Sequence, residues 1–349
     1  MARLRRVDVG GPGISRKGRG RGFQYLGADG KPVSDEETLE RARSLVIPPA
    51  WRDVWISDHP MGHIQATGID AAGRKQYRYH DDWRTRRDSE KFDSMIEFAR
   101  SLPALRARVA ADLDGPELGE SQIMACATRL LDRGFFRVGS EGYAEENDTY
   151  GLATIRKDHV TVDDGILVFD YNAKGSKRRI QRVDDGDIID IVDKLKRRRD
   201  GGDELLAFKR GRSWVDVKSA DINAYVKDAA GGDFSAKDFR TWNATVLAAI
   251  ALAVSGEAAG KPKTARKRAA KRAVDEVARY LGNTPAVCKA SYIDPRVFDR
   301  FDGGLTVGGV LPDLVDEAGG WPVIQPTLDA GVLDLLAADE SSPAVERVA

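Results

Sequence analysis

The chain has 349 residues, and 55 Lys and Arg balance 55 Asp and Glu, so its formal net charge is zero. This length allows two domains with sizeable cores. No apolar run approaches the length of a membrane span, and the charged N-terminus is not followed by the apolar core of a signal peptide, so we expect a cytoplasmic protein. Two cysteines and four histidines argue against a disulfide framework and a Cys/His metal site.

The zero net charge hides a strong segregation of charge along the sequence. Basic runs lie at 16–21, 177–179, 194–199, 209–212 and 261–272. The segment after Leu305 is acidic and contains Arg347 as its one basic residue. A single basic run is usually a solvated face, but five on one chain favour a nucleic-acid partner.

The first part of the chain has the pattern of short strands separated by turns. Glycines interrupt the opening, a short helix is predicted to begin near Ser34, and strands are predicted at 51–57 and 62–68. A charged stretch at 80–87 follows, and from Ser89 the apolar spacing becomes helical. We therefore expect a small β-rich domain over residues 1–85.

The rest of the chain predicts a larger, mainly helical domain with a small antiparallel sheet. Strands are predicted at 159–162, 166–171 and 178–183, with Asp164-Gly165 as a tight turn. Helices are predicted at 188–198, 219–229, 236–254 and 264–281. The fold class is therefore α+β, with a second domain over 86–305. We expect the acidic extension over 306–349 to be weakly structured or a dispensable appendage.

The stretch that ends at Tyr292 carries the most chemical information. This tyrosine follows a turn rich in backbone donors, and upstream Lys237 and Arg240 lie three residues apart on one face of a predicted helix. A free phenol has a pKa near 10 and is a poor nucleophile at neutral pH. Cations around a phosphodiester favour both the phenolate and the charged transition state. The pattern therefore predicts phosphoryl transfer to Tyr292.

Two further cations fit this chemistry, Arg137 in a predicted helical stretch and Lys174 in a predicted hairpin. Arginine binds phosphate oxygens in pairs, and a desolvated lysine can give up a proton to a leaving oxygen. Taken singly, each cation is more often part of a surface ion pair, and Tyr292 is more often a packing residue. Cys288 is expected to be a small packing residue of its helix.

With these residues in place, the chain resembles the type IB DNA topoisomerases of the small poxvirus and bacterial kind. The resemblance covers about residue 20 to 305. It rests on five motifs in order: GRKQYRY at 73–79, FRVG at 136–139 with Tyr143 and Glu146-Asn147 after it, YNAK at 171–174, KDFRT at 237–241, and GNTP at 282–285 leading to Tyr292. Each motif is short, so the resemblance depends on the occurrence of all five in the order and spacing of the family.

The resemblance implies a role for each matched residue. Tyr292 would attack the scissile phosphate and form a 3′-phosphotyrosyl bond. Arg137 and Arg240 would hold the non-bridging oxygens. Lys174 would protonate the departing 5′-hydroxyl, and Lys237 would support that transfer. The residues expected to contact DNA are Gln76, Tyr77, Tyr79, Tyr143, Lys177 and Arg178, with Gln76 at base edges in the major groove.

Asn283 departs from the poxvirus pattern, because the poxvirus enzymes and the related recombinases have histidine at this position. A neutral amide can still donate a hydrogen bond to a phosphate oxygen, but it lacks the charge of an imidazolium. We therefore expect Asn283 to be a transition-state donor that contributes less than the two arginines.

The resemblance also implies how the whole protein works. A monomer would clamp double-stranded DNA, nick one strand, permit rotation, religate, and so relax supercoils in the cytoplasm, in association with the nucleoid. Neither ATP nor another cofactor is expected, because the covalent intermediate conserves the bond energy. No carboxylate cluster of metal-ligand type is visible, so no metal requirement is expected either.

Two other functions remain open at this point. A tyrosine site-specific recombinase shares the nucleophile and the arginines, but it would have a helical domain in place of the β-rich one. A catalytically silent DNA-binding protein could have kept the clamp without the chemistry.

Overall fold

The structure is a computed structural model that describes residues 3–256, 262–312 and 321–348, apart from the side chains of Tyr143 and of residues 321–324. It divides into two compact units, Met1–Phe92 and Asp93–Ala349. Among the described residues, every helix is too short or too polar to span a bilayer.

The N-terminal unit is built on a five-stranded antiparallel sheet with the strand order β2-β1-β3-β4-β5. Its strands are β1 (Ile14–Arg19), β2 (Gly22–Leu26), β3 (Arg52–Ile56), β4 (Ile64–Ile69) and β5 (Lys75–Tyr79). Helix α1 (Glu36–Ser44) begins where the Asp35 carboxylate accepts a hydrogen bond from the Thr38 amide at 2.8 Å. Ile14, Val54 and Ile56 form the core between this helix and the sheet. The prediction of a β-rich N-terminal part is confirmed.

Helix α2 (Asp81–Leu113) begins earlier than its apolar spacing indicates. The charged stretch at 80–87 forms its first turns, whereas the sequence predicted helix only from Ser89. That part of the prediction is wrong because the first turns of α2 are largely solvent-exposed, so they carry no apolar face for a periodicity argument to detect.

The second unit is mainly helical, as predicted. Its further helices are α3 (Glu120–Gly134), α4 (Glu141–Asn147), α5 (Gly186–Arg197), α6 (Ser219–Ala230), α7 (Ala236–Val254), α8 (Lys263–Leu281), α9 (Pro285–Ser291), α10 (Pro295–Asp302) and α11 (Trp321–Ala337). Almost every residue of α3 is buried, so this helix lies at the centre of the unit. Helices α7 and α8 pack together, and α9 packs on the C-terminal end of α8.

Small antiparallel sheets accompany these helices. Their strands are β6 (Val160–Asp163), β7 (Ile166–Ala173) and β8 (Lys177–Val183) in one sheet, β9 (Ala207–Arg210) with β10 (Ser213–Asp216), and β11 (Leu305–Thr306) with β12 (Glu346–Arg347). Asp164 and Gly165 have φ of +48° and +74°, which is the backbone of a tight hairpin turn with both central residues at positive φ. The predicted small sheet and its first turn are confirmed.

The core around α7 and α8 supports the segment that ends at Tyr292. Ala248, Val277, Leu281 and Cys288 are buried in one cluster, and the ring of Tyr292 packs against it. Burial raises the pKa of the Cys288 thiol to about 11. The prediction that Cys288 is a packing residue is confirmed.

The acidic extension is more ordered than predicted. Residues 321–337 form α11, and Leu328, Val332, Leu335 and Leu336 on this helix are buried. The expectation of weak structure is therefore wrong for this stretch. That expectation was based on the acidic composition of the segment. The apolar residues between the carboxylates follow helical spacing and face α7 and α10.

Candidate active site

A cavity of about 360 Å³ brings together five of the predicted site residues from separate parts of the second unit. The described residues that line it are Arg137, Val138, Gly139, Ser140, Thr149, Tyr150, Lys174, Ala236, Lys237, Arg240 and Tyr292. Four of these side chains are cationic, and no lining residue in the described part of the chain is a carboxylate. Such a cavity is suited to an anion.

Arg137 lies in the extended segment after α3, so its predicted helical placement is wrong. Its neighbour Phe136 is fully buried, edge-on to Phe169 at 4.9 Å between ring centroids, and this anchors the segment. The Leu152 amide donates to the Arg137 carbonyl at 2.8 Å. The two backbones cross so closely that a Cβ on Gly151 would lie 2.8 Å from that carbonyl. Only glycine fits there.

Arg240 is buried on α7, with 3% of its surface exposed. Its guanidinium donates to the carbonyl of Phe135 at the end of α3 and, at 3.0 Å, to the carbonyl of Leu281 at the end of α8. The C-terminal ends of both helices carry partial negative charge, which favours a cation at this position. Arg240 Nε has no hydrogen-bond partner among the described residues.

Tyr292 is the residue directly after α9, and its amide donates to the Cys288 carbonyl at 2.9 Å. The guanidinium carbon of Arg240 lies 5.4 Å from the centre of the tyrosine ring. The Thr245 hydroxyl on α7 donates to the Thr241 carbonyl at 3.0 Å and accepts from the Asp294 amide at 3.1 Å. The segment that carries the nucleophile candidate is thus joined to the helix that carries Lys237 and Arg240.

Asn283 follows the left-handed residue Gly282, whose φ of +67° ends α8. Its side-chain oxygen accepts a hydrogen bond from the Arg137 guanidinium. Its side-chain nitrogen is buried and has no partner in the described parts of the chain. A buried donor without a partner is costly. Asn283 is not among the described residues that line the cavity, and it is connected to the cavity through Arg137.

The two lysines reach the cavity from exposed positions. Lys174 lies in the turn between β7 and β8, where Gly175 and Ser176 have positive φ, so the predicted hairpin position is confirmed. Lys237 lies in the first turn of α7, three residues before Arg240. Within the described residues, neither lysine forms an ion pair, which leaves both ammonium groups available to a ligand.

Arg179 is a residue of this region that the sequence reasoning missed. Its guanidinium donates to the carbonyls of Arg279, at 3.0 Å, and Tyr280, and so joins β8 to the last turn of α8. The sequence shows it as one member of the basic run at 177–179. The alternation of strand residues could have distinguished Arg179 from its neighbours, because it shares the face of the buried residues Gln181 and Val183.

Burial and the neighbouring Arg137 disfavour the charge of two arginines of the site. Burial, followed by the nearby Arg137, lowers the pKa of Arg240 to about 10, and Arg179 acts in the same direction. Burial, with a smaller contribution from Arg137, also lowers the pKa of Arg179. A phosphate group would offset the part of this change that Arg137 and Arg179 contribute.

Comparison with known proteins decides the family. Residues 80–301 match the family described as Eukaryotic DNA topoisomerase I, catalytic core, and residues 22–70 match Bacterial DNA topoisomerase IB, N-terminal domain. The chain is 31% identical over 288 residues to DNA topoisomerase 1B of Acanthamoeba polyphaga mimivirus, which covers 80% of this chain and 85% of the viral protein. The chain belongs to the type IB DNA topoisomerases.

Other relatives of this type IB topoisomerase match less closely. DNA topoisomerase 1 of rabbit fibroma virus is 23% identical over 80% of this chain and 89% of its own length. DNA topoisomerase 1 of Daucus carota is 29% identical over 46% of this chain, which spans 19% of the plant protein. The match of the N-terminal part also disfavours a recombinase, for which a helical domain is expected there.

The N-terminal contacts predicted for this topoisomerase lie on β5, at the edge of the sheet. Tyr77 and Tyr79 share one face and stack with 6.0 Å between ring centroids, and both are exposed. Gln76 lies on the opposite face and donates to the Asp70 carboxylate at 2.9 Å. The structure therefore groups the two tyrosines and separates Gln76 from them.

The predicted contacts of the second unit are distributed differently. Lys177 and Arg178 are exposed at the start of β8, and Arg178 forms an ion pair with Asp170. Tyr143 lies in α4, and its side chain is outside the described part of the structure. No group of three or more His, Cys, Asp or Glu in the described ranges is arranged to hold a metal ion.

The charge arrangement of this topoisomerase predicts an unusual stability effect at Arg137. Replacing Arg137 by Ala removes a guanidinium that disfavours the charge of Arg240. We expect the free energy of unfolding of the DNA-free protein to stay equal or to rise by up to about 1 kcal/mol, because the relief offsets the lost hydrogen bond to Asn283. Urea unfolding measures this change.

Sulfate provides the complementary measurement. A ligand that binds only the folded state raises its stability, so 50 mM sulfate should raise the melting temperature of the unchanged protein more than that of Arg137→Ala. Arg182→Ala, an exposed position on β8, is the matched control and should respond like the unchanged protein. A large loss of stability in Arg137→Ala, with an unchanged response to sulfate, would contradict this account.

Proposed function

We propose that this type IB topoisomerase relaxes DNA supercoils by nicking and religating one strand through a phosphotyrosyl bond at Tyr292. The observation that carries the proposal is the cavity that Tyr292 shares with Arg137, Lys174, Lys237 and Arg240. These residues come from four separate segments, and together they provide a nucleophile and four cations. This is the set of groups that phosphodiester transfer to a tyrosine needs.

The attack begins at the hydroxyl of Tyr292. As its oxygen bonds to the scissile phosphorus, the phenolic proton leaves to water and negative charge grows on the non-bridging oxygens. Arg137 and Arg240 bind these oxygens, and their mutual repulsion falls as the charge develops. The bond from phosphorus to the 5′-oxygen then breaks, which leaves a 3′-phosphotyrosyl link.

Proton transfer to the leaving 5′-oxygen is assigned to Lys174. Its position in the β7–β8 turn brings an ammonium group without an ion-pair partner among the described residues to the edge of the cavity. Lys237 lies on the same cavity and supports this transfer. Religation is the reverse sequence, in which the free 5′-hydroxyl attacks the phosphotyrosine and Tyr292 leaves. The bond energy is conserved throughout, so the steps need no ATP.

Asn283 is proposed to donate its side-chain N–H to a non-bridging oxygen. Two observations support this role: the nitrogen is buried without a partner in the described structure, and the side-chain oxygen is oriented by Arg137. The amide adds a neutral hydrogen bond where the resemblance to the poxvirus enzymes would place a histidine, so the arginines provide most of the charge stabilisation.

The N-terminal unit is proposed to contact the same duplex through Tyr77 and Tyr79, whose exposed rings form one stacked pair. Together with the second unit it would hold duplex DNA, and a monomer would suffice. Double-stranded DNA in the nucleoid is the proposed substrate in the cell. Because phosphate contacts release counterions, binding should weaken steeply with salt.

Replacing Tyr292 by Phe tests the proposal most simply, because it removes one oxygen and keeps the ring. We expect relaxation of a supercoiled plasmid without any cognate site to fall by roughly 10³-fold or more, and the covalent DNA adduct to disappear from denaturing gels. Tyr280→Phe is the matched control, an exposed tyrosine on α8, and should keep full activity. An adduct that persists in Tyr292→Phe would refute the assignment.

Asn283 gives a graded test of the charge argument. In single-turnover cleavage, Asn283→Ala should lower the rate constant by about 10-fold, and Arg137→Ala by about 10³-fold, because a neutral donor is worth less than a guanidinium at a developing charge. Asn283→His should cleave faster than Asn283→Ala. Equal losses in the two alanine variants would show that Asn283 is not the lesser donor that the proposal makes it.

A further inference from the structure

Helix α11 places two polar side chains in the interior of the second unit. Gln325 and Asp329 have 1% and 5% of their surface exposed, and they lie on the same helix face as Leu328 and Val332. A buried carboxylate is costly unless it is paired and hydrogen-bonded, so its partners indicate what the helix does.

Asp329 joins two other helices. One carboxylate oxygen accepts a hydrogen bond from Trp242 Nε1 on α7 at 2.6 Å. The other accepts from Arg106 on α2, also at 2.6 Å. Arg106 in turn donates to both oxygens of Asp132 on α3, at 2.8 and 3.1 Å. Gln325 adds a second link, since it donates to Asp132 at 3.2 Å and accepts from Arg133.

This network contacts the side of α7 that is opposite the candidate active site. Trp242 is fully buried two residues after Arg240, so the two side chains project about 200° apart around α7, on opposite sides of the helix. Asp132 precedes by three residues the Phe135 carbonyl to which Arg240 donates. The orientation of α7 against the end of α3 therefore depends on Asp329, which contacts the Trp242 side of α7, and on Arg240, which lies on the opposite side.

We propose that the C-terminal helix is a positioning element of the active site, in which Asp329 holds Trp242 and thereby sets Arg240 against the scissile phosphate. The helix lies beyond residues 80–301, which match the catalytic core of the family. This inference rests on the proposed phosphate contact of Arg240. It replaces the expectation that the acidic extension is dispensable.

The test uses three variants of the full-length protein. Asp329→Ala removes both contacts, and Trp242→Phe removes the N–H donor, together with part of the indole volume, but keeps an aromatic ring in the core. Asp334→Asn is the charge-matched control on the same helix, because its carboxylate accepts from Ser342 and not from the network. Urea unfolding identifies which variants are folded at the assay temperature, and Trp242→Phe keeps the test available if Asp329→Ala does not fold.

The readout is the rate constant of single-turnover cleavage at saturating protein. The duplex is designed so that the fragment released by cleavage is too short to stay paired, which prevents religation. We expect this rate constant to fall about 10-fold in Trp242→Phe and in Asp329→Ala. DNA affinity, measured in the Tyr292→Phe background, should change less than two-fold. Asp334→Asn should cleave like the unchanged protein. A folded Trp242→Phe with an unchanged rate constant, or a loss confined to DNA affinity, would overturn the proposal.

A double substitution separates positioning from general destabilisation. If Trp242 acts through Arg240, then Trp242→Phe should have little further effect on cleavage in an Arg240→Lys background. Fully additive losses would mean that Trp242 does not act through Arg240 and would also overturn the proposal. Failure of the proposed function itself is distinguishable, because it would appear as an adduct that persists in Tyr292→Phe.

Discussion

Arg240 lies buried between the carboxyl ends of α3 and α8, close enough to Arg137 and Arg179 that both disfavour its charge. The fold tolerates this arrangement because helix carbonyls surround the buried cation and because close packing prevents the arginines from moving apart. The cavity is therefore prepared for an anion before DNA arrives. In the proposed reaction a phosphodiester would supply the missing negative charge, and the transition state would supply more of it.

Much of the second unit serves to keep these side chains in place. The close crossing at Gly151 fixes the segment of Arg137, and the hydrogen bond from the Asp294 amide to Thr245 joins the segment of Tyr292 to α7. Arg179 joins the hairpin that carries Lys174 to the end of α8, beside Asn283. Preorganisation of this kind is effective in catalysis because the donors need no rearrangement as charge develops.

The sequence identified the residues that line the site better than it identified the helices and contacts that hold them in place. Motif order was enough to select Arg137, Lys174, Lys237, Arg240 and Tyr292, and the structure lines one cavity with all five. The start of α2 was missed because its exposed turns have no apolar periodicity. The order of α11 was missed because the acidic composition of the extension outweighed its apolar spacing.

Long-range contacts explain what no local pattern could predict. The pairing of Asp329 with Trp242, which are 87 residues apart, leaves no signal in local spacing, and strand alternation marks Arg179 as inward-facing without indicating that it contacts the end of α8. Gln76 shows a different limit, because the sequence grouped it with Tyr77 and Tyr79, whereas strand alternation places it on the other face. Their roles in DNA binding stay predictions.

The central claim is that the site carries unneutralised positive charge until a phosphodiester enters. NMR titration of the Arg240 guanidinium between pH 8 and pH 12 (on a labelled Tyr292→Phe protein, with Arg240→Lys to assign the signal) measures this directly. The account predicts that Arg240 in the free protein loses its proton at a lower pH than an ordinary arginine, because burial and Arg137 lower its pKa, and that bound duplex DNA raises this midpoint. A signal that does not titrate in the free protein, or a midpoint that DNA leaves unchanged, would contradict it.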